Sequence, residues 1–273
     1  MSEATTPSGR VLIVAGSDSS GGAGIQADIK TVTILGGYAM TAITAITAQD
    51  TTGVHGVWPV ALDAVTAQMN ACLNDIGVDA IKTGMLGTAP LVEQVAETLD
   101  ALARETPRIV DPVMVATSGD ALVDEKAVSA IASLMIAGAA LVTPNAPEAE
   151  VLTGKAVDGV NGQRRAAEAL LEQGAKGALI KGGHIPGRVL VDVLQTEHGE
   201  WMFESERIET SSTHGTGCTL ASACAAYVAQ GRMLPHAVEA ARFYLHEAIK
   251  RAPGLGRGHG PIAHNWKIID QED

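Results

Sequence analysis

Short apolar runs alternate with helix-length stretches along most of this chain, at roughly 30-residue spacing, and few folds accommodate that order. The runs lie at 10–15, 40–48, 78–82, 108–110, 140–142 and 178–181. RVLIVA (10–15) reads as a buried strand, and MTAITAITA (40–48) has the Thr and Ile content of another. Helical stretches fill 25–35, 62–76, 90–104, 124–137 and 161–173, and a shorter helix begins at 148–152. This alternation predicts an α/β fold: a doubly wound, mostly parallel central sheet flanked by helices on both faces. Runs at 189–194 and 200–208 predict a strand pair turning at His198-Gly199, and 217–229 and 235–251 are the last two helices. No Pro/Ser-rich linker and no repeated motif divides the chain. Residues 10–273 are therefore read as a single domain behind a disordered tail at 1–9.

Such a sheet binds ligands outside the C-terminal ends of its strands. Polar or glycine-rich segments at Gly16, Gln49, Thr83, Asp111, Thr143, Lys181 and Gly215 mostly follow predicted strands. They are expected to collect along one rim.

Composition removes several classes of function. The net charge is −12 with no basic cluster, and aromatics are 3% of 273 residues. Neither electrostatic binding to nucleic acid nor base stacking is supported. The three cysteines, Cys72, Cys218 and Cys224, form no C-x-x-C, so no disulfide framework or zinc knuckle is expected. Cys72 and Cys224 sit in apolar helical runs and read as small core residues. Residues 1–10 lack the basic start and apolar run of a signal peptide, and no stretch is apolar enough to span a membrane. A cytoplasmic location is the expectation.

The densest chemistry is at HGTGCT (214–219), between a strand-like run and an alanine-rich helix. Gly215 and Gly217 let the backbone turn its N–H groups outward, and the helix start adds unpaired N–H groups and a positive dipole end. Phosphate is the natural guest. Cys218, in that field, is expected to lose its proton more readily than in water. A glycine-rich helix start with a small buried thiol fits the six residues equally well.

Other candidates lie along the rim. Asn145 and Glu148 are one helical turn apart, spaced to hold Mg²⁺ or, more simply, to cap a helix. Lys181 precedes Gly182-Gly183 at a strand end, where an ammonium meets a moving phosphate or merely solvent. Asp111 binds a metal or caps a turn. Gln49 both donates and accepts, as recognition of a heteroaromatic edge requires. Met85 packs on a flat ring or in the core. His214 helps shape its loop, and His259 and His264 read as surface residues in a glycine-rich tail. The chain has no Walker loop, no G-x-G-x-x-G and no G-x-S-x-G elbow.

Seven segments occur in a telling order: GSDSSGGAGIQAD (16–28), TAITAQDT (44–51), KTGML (82–86), DPVMVATSGD (111–120), TPNAPEA (143–149), KGGH (181–184) and HGTGCT (214–219). Together they resemble the hydroxymethylpyrimidine/phosphomethylpyrimidine kinases of thiamine biosynthesis, a branch of the ribokinase-like superfamily. The likeness runs from about Arg10 to Trp266. It implies a ribokinase-like homodimer using ATP and Mg²⁺, with K⁺ left open, and no nucleic-acid or membrane partner. It implies an anion hole of Gly215, Thr216, Gly217 and Cys218, with Cys218 as catalytic base and Lys181 beside the transferring phosphate. It places Asn145 and Glu148 at the metal and phosphates, beside Asp111 as the strand-end metal candidate read above, and Ala23, Asp28, Gln49, Met85 and Val113 around the pyrimidine. Ser19 departs from the proline common at its position, a change expected to affect loop stiffness.

The expected reaction is in-line phosphoryl transfer to a hydroxymethyl group and then to the new phosphate. Three alternatives stand beside it, one of them a non-catalytic vitamin-binding protein. Pyridoxal kinase chemistry uses a similar flat acceptor. A Cys-nucleophile hydrolase would need a histidine oriented on the thiol and would leave Lys181, Asn145 and Glu148 idle.

Overall fold

Strand β1 (Arg10–Asp18) is buried on both sides, and the sheet is built outward from it. In this computed structural model, which describes residues 7–116, 119 and 122–269, Val11, Ile13 and Ala15 meet one helical layer while Leu12 and Val14 meet the other. An apolar run with no alternation is what two covered faces demand.

Among the described residues, nine strands form one sheet in the order β3-β2-β1-β4-β5-β6-β7-β8-β9. The parallel core comprises β1, β2 (Tyr38–Gln49), β4 (Ala80–Thr83), β5 (Arg108–Val110), β6 (Leu141–Val142) and β7 (Gly177–Ile180). The edges are antiparallel: β3 (Val54–Pro59) on one side, and β8 (Val189–Thr196) with β9 (Gly199–Glu206) on the other. The expected fold is therefore present, with β3 an addition. The stretch 49–56 reads as a turn, and its strand emerges only through pairing with β2. Strand β1 also runs three residues further than expected, through Gly16, Ser17 and Asp18.

One face of the sheet is covered by α2 (Leu62–Ala71), α3 (Ala89–Leu102), α4 (Glu125–Ala130), α5 (Ala146–Thr153) and α6 (Val160–Glu172). Helices α2 and α4 each continue into a wider π-helical turn, at Cys72–Ile76 and Ile131–Met135. The other face is covered by α1 (Gly24–Ile34), α7 (Thr216–Ala229), α8 (Leu234–Lys250) and the short α9 (Trp266–Ile269). Helix α7 is buried nearly all round. Its Ala221, Ala223, Ala225 and Ala226 let it lie close to the sheet between α1 and α8.

Of the tail expected at 1–9, residues 1–6 lie outside the described residues. Ser8 and Gly9 are already tied down, since Ser8 N donates to Gly36 O and Tyr38 N to Gly9 O. In the DPVMVATSGD segment, Thr117, Ser118 and Asp120 also lie outside the described residues. His264 corrects the surface expectation: it is buried, its Nε2 lying 3.0 Å from Thr219 Oγ1.

Candidate active site

The sheet reverses its winding between β1 and β4, and the crevice at such a point is where doubly wound folds bind ligands. A cleft of about 1000 Å³ opens there. The candidate residues reach it because consecutive strand ends lie side by side. Asp111 N donates to Thr83 O, Lys181 N donates to Pro144 O, and Asn145 bridges to Lys181.

Two glycine loops close one end. Gly215 has φ of 76°, and a Cβ there would collide with the Gly22 carbonyl oxygen. A Cβ on Gly22 would in turn strike the His214 ring. The loops therefore touch backbone to backbone, bringing the N-terminus of α1 against that of α7. Buried Asp18 locks them together: its Oδ2 lies 2.8 Å from His214 Nε2 and accepts from Ala23 N, while its Oδ1 accepts from Ser20. Burial alone would raise the Asp18 carboxyl, but His214 and these donors hold it at about 2.

Cys218 sits half-buried in the first turn of α7 and lines the cleft, with the Gly24 N–H directed at its sulfur. Its expected acidity is not found. Burial pushes the thiol up to about 12, outweighing the pull of Lys82, and Asp28 and Asp111 push the same way. A helix N-terminus does not offset the loss of water around a thiolate that also faces two carboxylates. All three cysteines are raised by burial, Cys224 also to about 12.

Lys181 Nζ lies 3.3 Å from Asp111 Oδ1. Burial would lower this ammonium, but Asp111 and Glu148 hold it above its ordinary value. Gly217 lies close by, where a Cβ would stand 3.4 Å from Lys181 Nζ. Asn145 and Glu148 form a reciprocal cap on α5: Asn145 Oδ1 accepts from Glu148 N at 2.9 Å, and Glu148 Oε2 accepts from Asn145 N at 2.8 Å. The capping role is therefore met, and burial raises the Glu148 carboxyl. Asp111 Oδ2 is buried with no hydrogen-bond partner among the described residues.

Of the residues expected at the pyrimidine, Ala23, Gln49, Met85 and Val113 line the cleft, as do all four anion-hole residues. Asp28 does not. It is fully buried behind the wall, its two oxygens 3.0 and 2.9 Å from Lys82 Nζ. Position 28 lies on the sheet-facing side of α1, so its carboxylate never reaches the cleft. Ser19 does more than change loop stiffness: its hydroxyl donates to Gln49 O at 2.7 Å and accepts from Gln49 N at 2.9 Å.

Sequence reasoning passed over Asp18, Lys82 and Arg207. Asp18 and Lys82 lay inside the quoted GSDSS and KTGML segments, but no spacing marked them as partners of His214 and Asp28. Arg207 donates to the carbonyls of Gly183, Ile185 and Gly187, clamping the loop after β7 along the cleft. Below it, Asp192 accepts from Gly182 N and from Arg242 Nε, each at 2.7 Å.

The hydrolase alternative finds no support in the histidine nearest Cys218 in sequence. His214 turns to Asp18 instead of to the thiol.

Sheet order, glycine loops and strand-end lysine define the chain as a ribokinase-like kinase. It matches the phosphomethylpyrimidine kinase family over residues 18–263 and belongs to that family. A Streptomyces coelicolor hydroxymethylpyrimidine/phosphomethylpyrimidine kinase is 47% identical over 258 residues, 94% of this chain and 95% of its own. Among solved structures, a Bacillus subtilis pyridoxal kinase in complex with ADP superposes with TM-score 0.87. It is 36% identical and covers 96% of this chain and 99% of its own. A Clostridium difficile phosphomethylpyrimidine kinase gives TM-score 0.79 at 38% identity, covering 88% of this chain and 99% of its own. Among the described residues no helix is long and apolar enough to cross a membrane.

Proposed function

We propose that this kinase transfers the γ-phosphoryl of ATP to the hydroxymethyl oxygen of 4-amino-5-hydroxymethyl-2-methylpyrimidine, and then a second phosphoryl onto the monophosphate, for thiamine biosynthesis. The observation that carries the reading is Cys218, set between the N-termini of α1 and α7 in the cleft that Gln49 and Met85 line. The ring lies against Met85 with its polar edge toward Gln49. Ser19 fixes the Gln49 backbone, so the amide reaches from a set position.

In the first transfer the acceptor O–H bond breaks and its proton passes to the Cys218 thiolate. The freed electron pair forms the new O–P bond, and the bond from that phosphorus to the ADP oxygen breaks, its electrons leaving on ADP. Because burial disfavours the thiolate, only a small fraction of the free enzyme carries it near neutral pH, and that fraction reacts. The N–H groups of Gly215, Gly217 and Cys218 and the Lys181 ammonium face the charge on the moving phosphoryl. The second acceptor is a phosphate already largely ionised, so Cys218 matters less there.

Asp111, with its unpartnered buried oxygen, and Glu148 are the hard oxygen donors that suit Mg²⁺. Among the described residues no group of three or more His, Cys, Asp or Glu could hold a metal by itself. That suits an ion carried largely by phosphates and water. Bound there, Mg²⁺ would neutralise phosphate charge; a K⁺ requirement is not part of the proposal.

The wider reading is a cytoplasmic homodimer. Its ATP dependence supports the location, and Ile46 and Trp58, paired across β2 and β3 and both exposed, support the dimer.

Pyridoxal is the second acceptor to weigh, because of the pyridoxal kinase neighbour. Mass spectrometry of products from ATP-Mg²⁺ with each acceptor decides. Mono- and pyrophosphorylated hydroxymethylpyrimidine is expected. Pyridoxal phosphate as the sole product would replace the proposal.

A further inference from the structure

Lys82 has no place in the transfer as written, yet its side chain is wholly buried and lines the cleft near Cys218. Both Asp28 oxygens hold its ammonium. Asp28 is held in turn by Ser222, whose hydroxyl donates to Oδ1 at 2.6 Å. Ser222 lies one helical turn beyond Cys218 on α7, so the two share a helix face. Gly84 leaves the ammonium its space, since a Cβ there would stand 3.0 Å from Nζ. A lysine and an aspartate have thus been carried into the core under the acceptor end of the cleft.

Stability does not explain this. A buried ion pair rarely outperforms apolar residues of the same shape. Charge placed beside a reacting group explains it better. Burial would lower the Lys82 ammonium, but Asp28 holds it charged, and Cys218 lies within reach of that charge. Lys82 also heads the groups that favour the Cys218 thiolate, against Asp28 and Asp111.

We propose that Lys82 is a positioning residue for Cys218: its ammonium, fixed by Asp28 and Ser222, supplies the charge that favours a thiolate where the acceptor hydroxyl gives up its proton. The inference rests on Cys218 as the base, and the two are separable. Loss of the base reading appears as an unchanged first step in Cys218→Ala, and loss of this one as unchanged thiol reactivity in Lys82→Met.

The test uses Lys82→Met, and Asp28→Asn with Lys82→Met so that no lone carboxylate is left in the core. Iodoacetamide labelling of Cys218 at pH 9, read by peptide mass spectrometry, should slow about tenfold, one pKa unit of thiolate, in Lys82→Met against the parent and in the paired variant against Asp28→Asn alone, since the paired change also removes the opposing Asp28 charge. The first phosphorylation should slow by a similar factor and the second by less than about threefold, because a phosphate acceptor needs little base. In the Cys218→Ala background the Lys82 change should add nothing to the first step. Lys82→Arg, which keeps the charge, should restore labelling at least in part. Labelling of the paired variant within about twofold of Asp28→Asn alone, or equal loss in both steps, would overturn the proposal.

Discussion

His214 Nε2 lies 2.8 Å from Asp18 Oδ2, with both side chains buried, and this contact helps fasten the first glycine loop to the HGTGCT loop. Replacing Asp18 by Asn removes the charge at the centre of four hydrogen-bonding partners. We expect Asp18→Asn to lower unfolding free energy by about 1–3 kcal/mol, measured by urea denaturation.

The same carboxyl sets an acid limit. Its folded value, about 2, lies below that of an ordinary aspartate, so its contribution is present above pH ~4. It is lost as pH falls from there through the folded value. The parent's stability should drop across that window more steeply than that of Asp18→Asn, in parallel denaturations from pH 5 to 2.

Gly215→Ala and Gly231→Ala make a controlled pair. Both glycines have positive φ, 76° and 80°, so both substitutions strain the backbone. Only position 215 also meets a wall, since nothing lies within 4 Å of a Cβ at 231. Gly231→Ala should cost about 1 kcal/mol and leave turnover intact. Gly215→Ala should cost more and abolish detectable turnover, assayed by ADP release.

Much of this was legible in the chain. The parallel core comes from apolar runs too continuous for a sheet with a wet face, and the rim from the polar or glycine-rich segments at their ends. Strand β3 was not legible: VHGVWP is an exposed edge, with no apolar period to mark it. Asp28 was misplaced because a sequence shows that a residue is in a helix's first turns but not which wall it faces. Cys218 was misjudged because the helix dipole can be read from sequence and the loss of water cannot. Asn145 and Glu148 were readable as a cap, and the structure makes them one.

That cap permits a clean test of the charge. Glu148→Gln keeps an oxygen that can accept from Asn145 N, so the melting temperature should stay within a few degrees of the parent. Half-maximal activity should nevertheless require several-fold more Mg²⁺, because one hard anionic oxygen is gone. An unchanged metal titration would leave Glu148 as a cap alone.

Arg207→Lys should loosen the 183–187 loop, because an ammonium cannot serve three carbonyls with a planar fork. The expected outcome is a several-fold rise in KM for ATP with kcat changed less than about twofold, in steady-state assays at saturating pyrimidine.

The 196 residues between Asp18 and His214 also set a clock. At ordinary synthesis rates, about 10–40 s separate the appearance of the two. Helices α7, α8 and α9 arrive last, so for that interval α1 alone covers the face to which Val11, Ile13 and Ala15 point. Until then the nascent chain exposes apolar surface that the last helices will bury. It becomes an enzyme only when its final quarter leaves the ribosome and closes over the sheet.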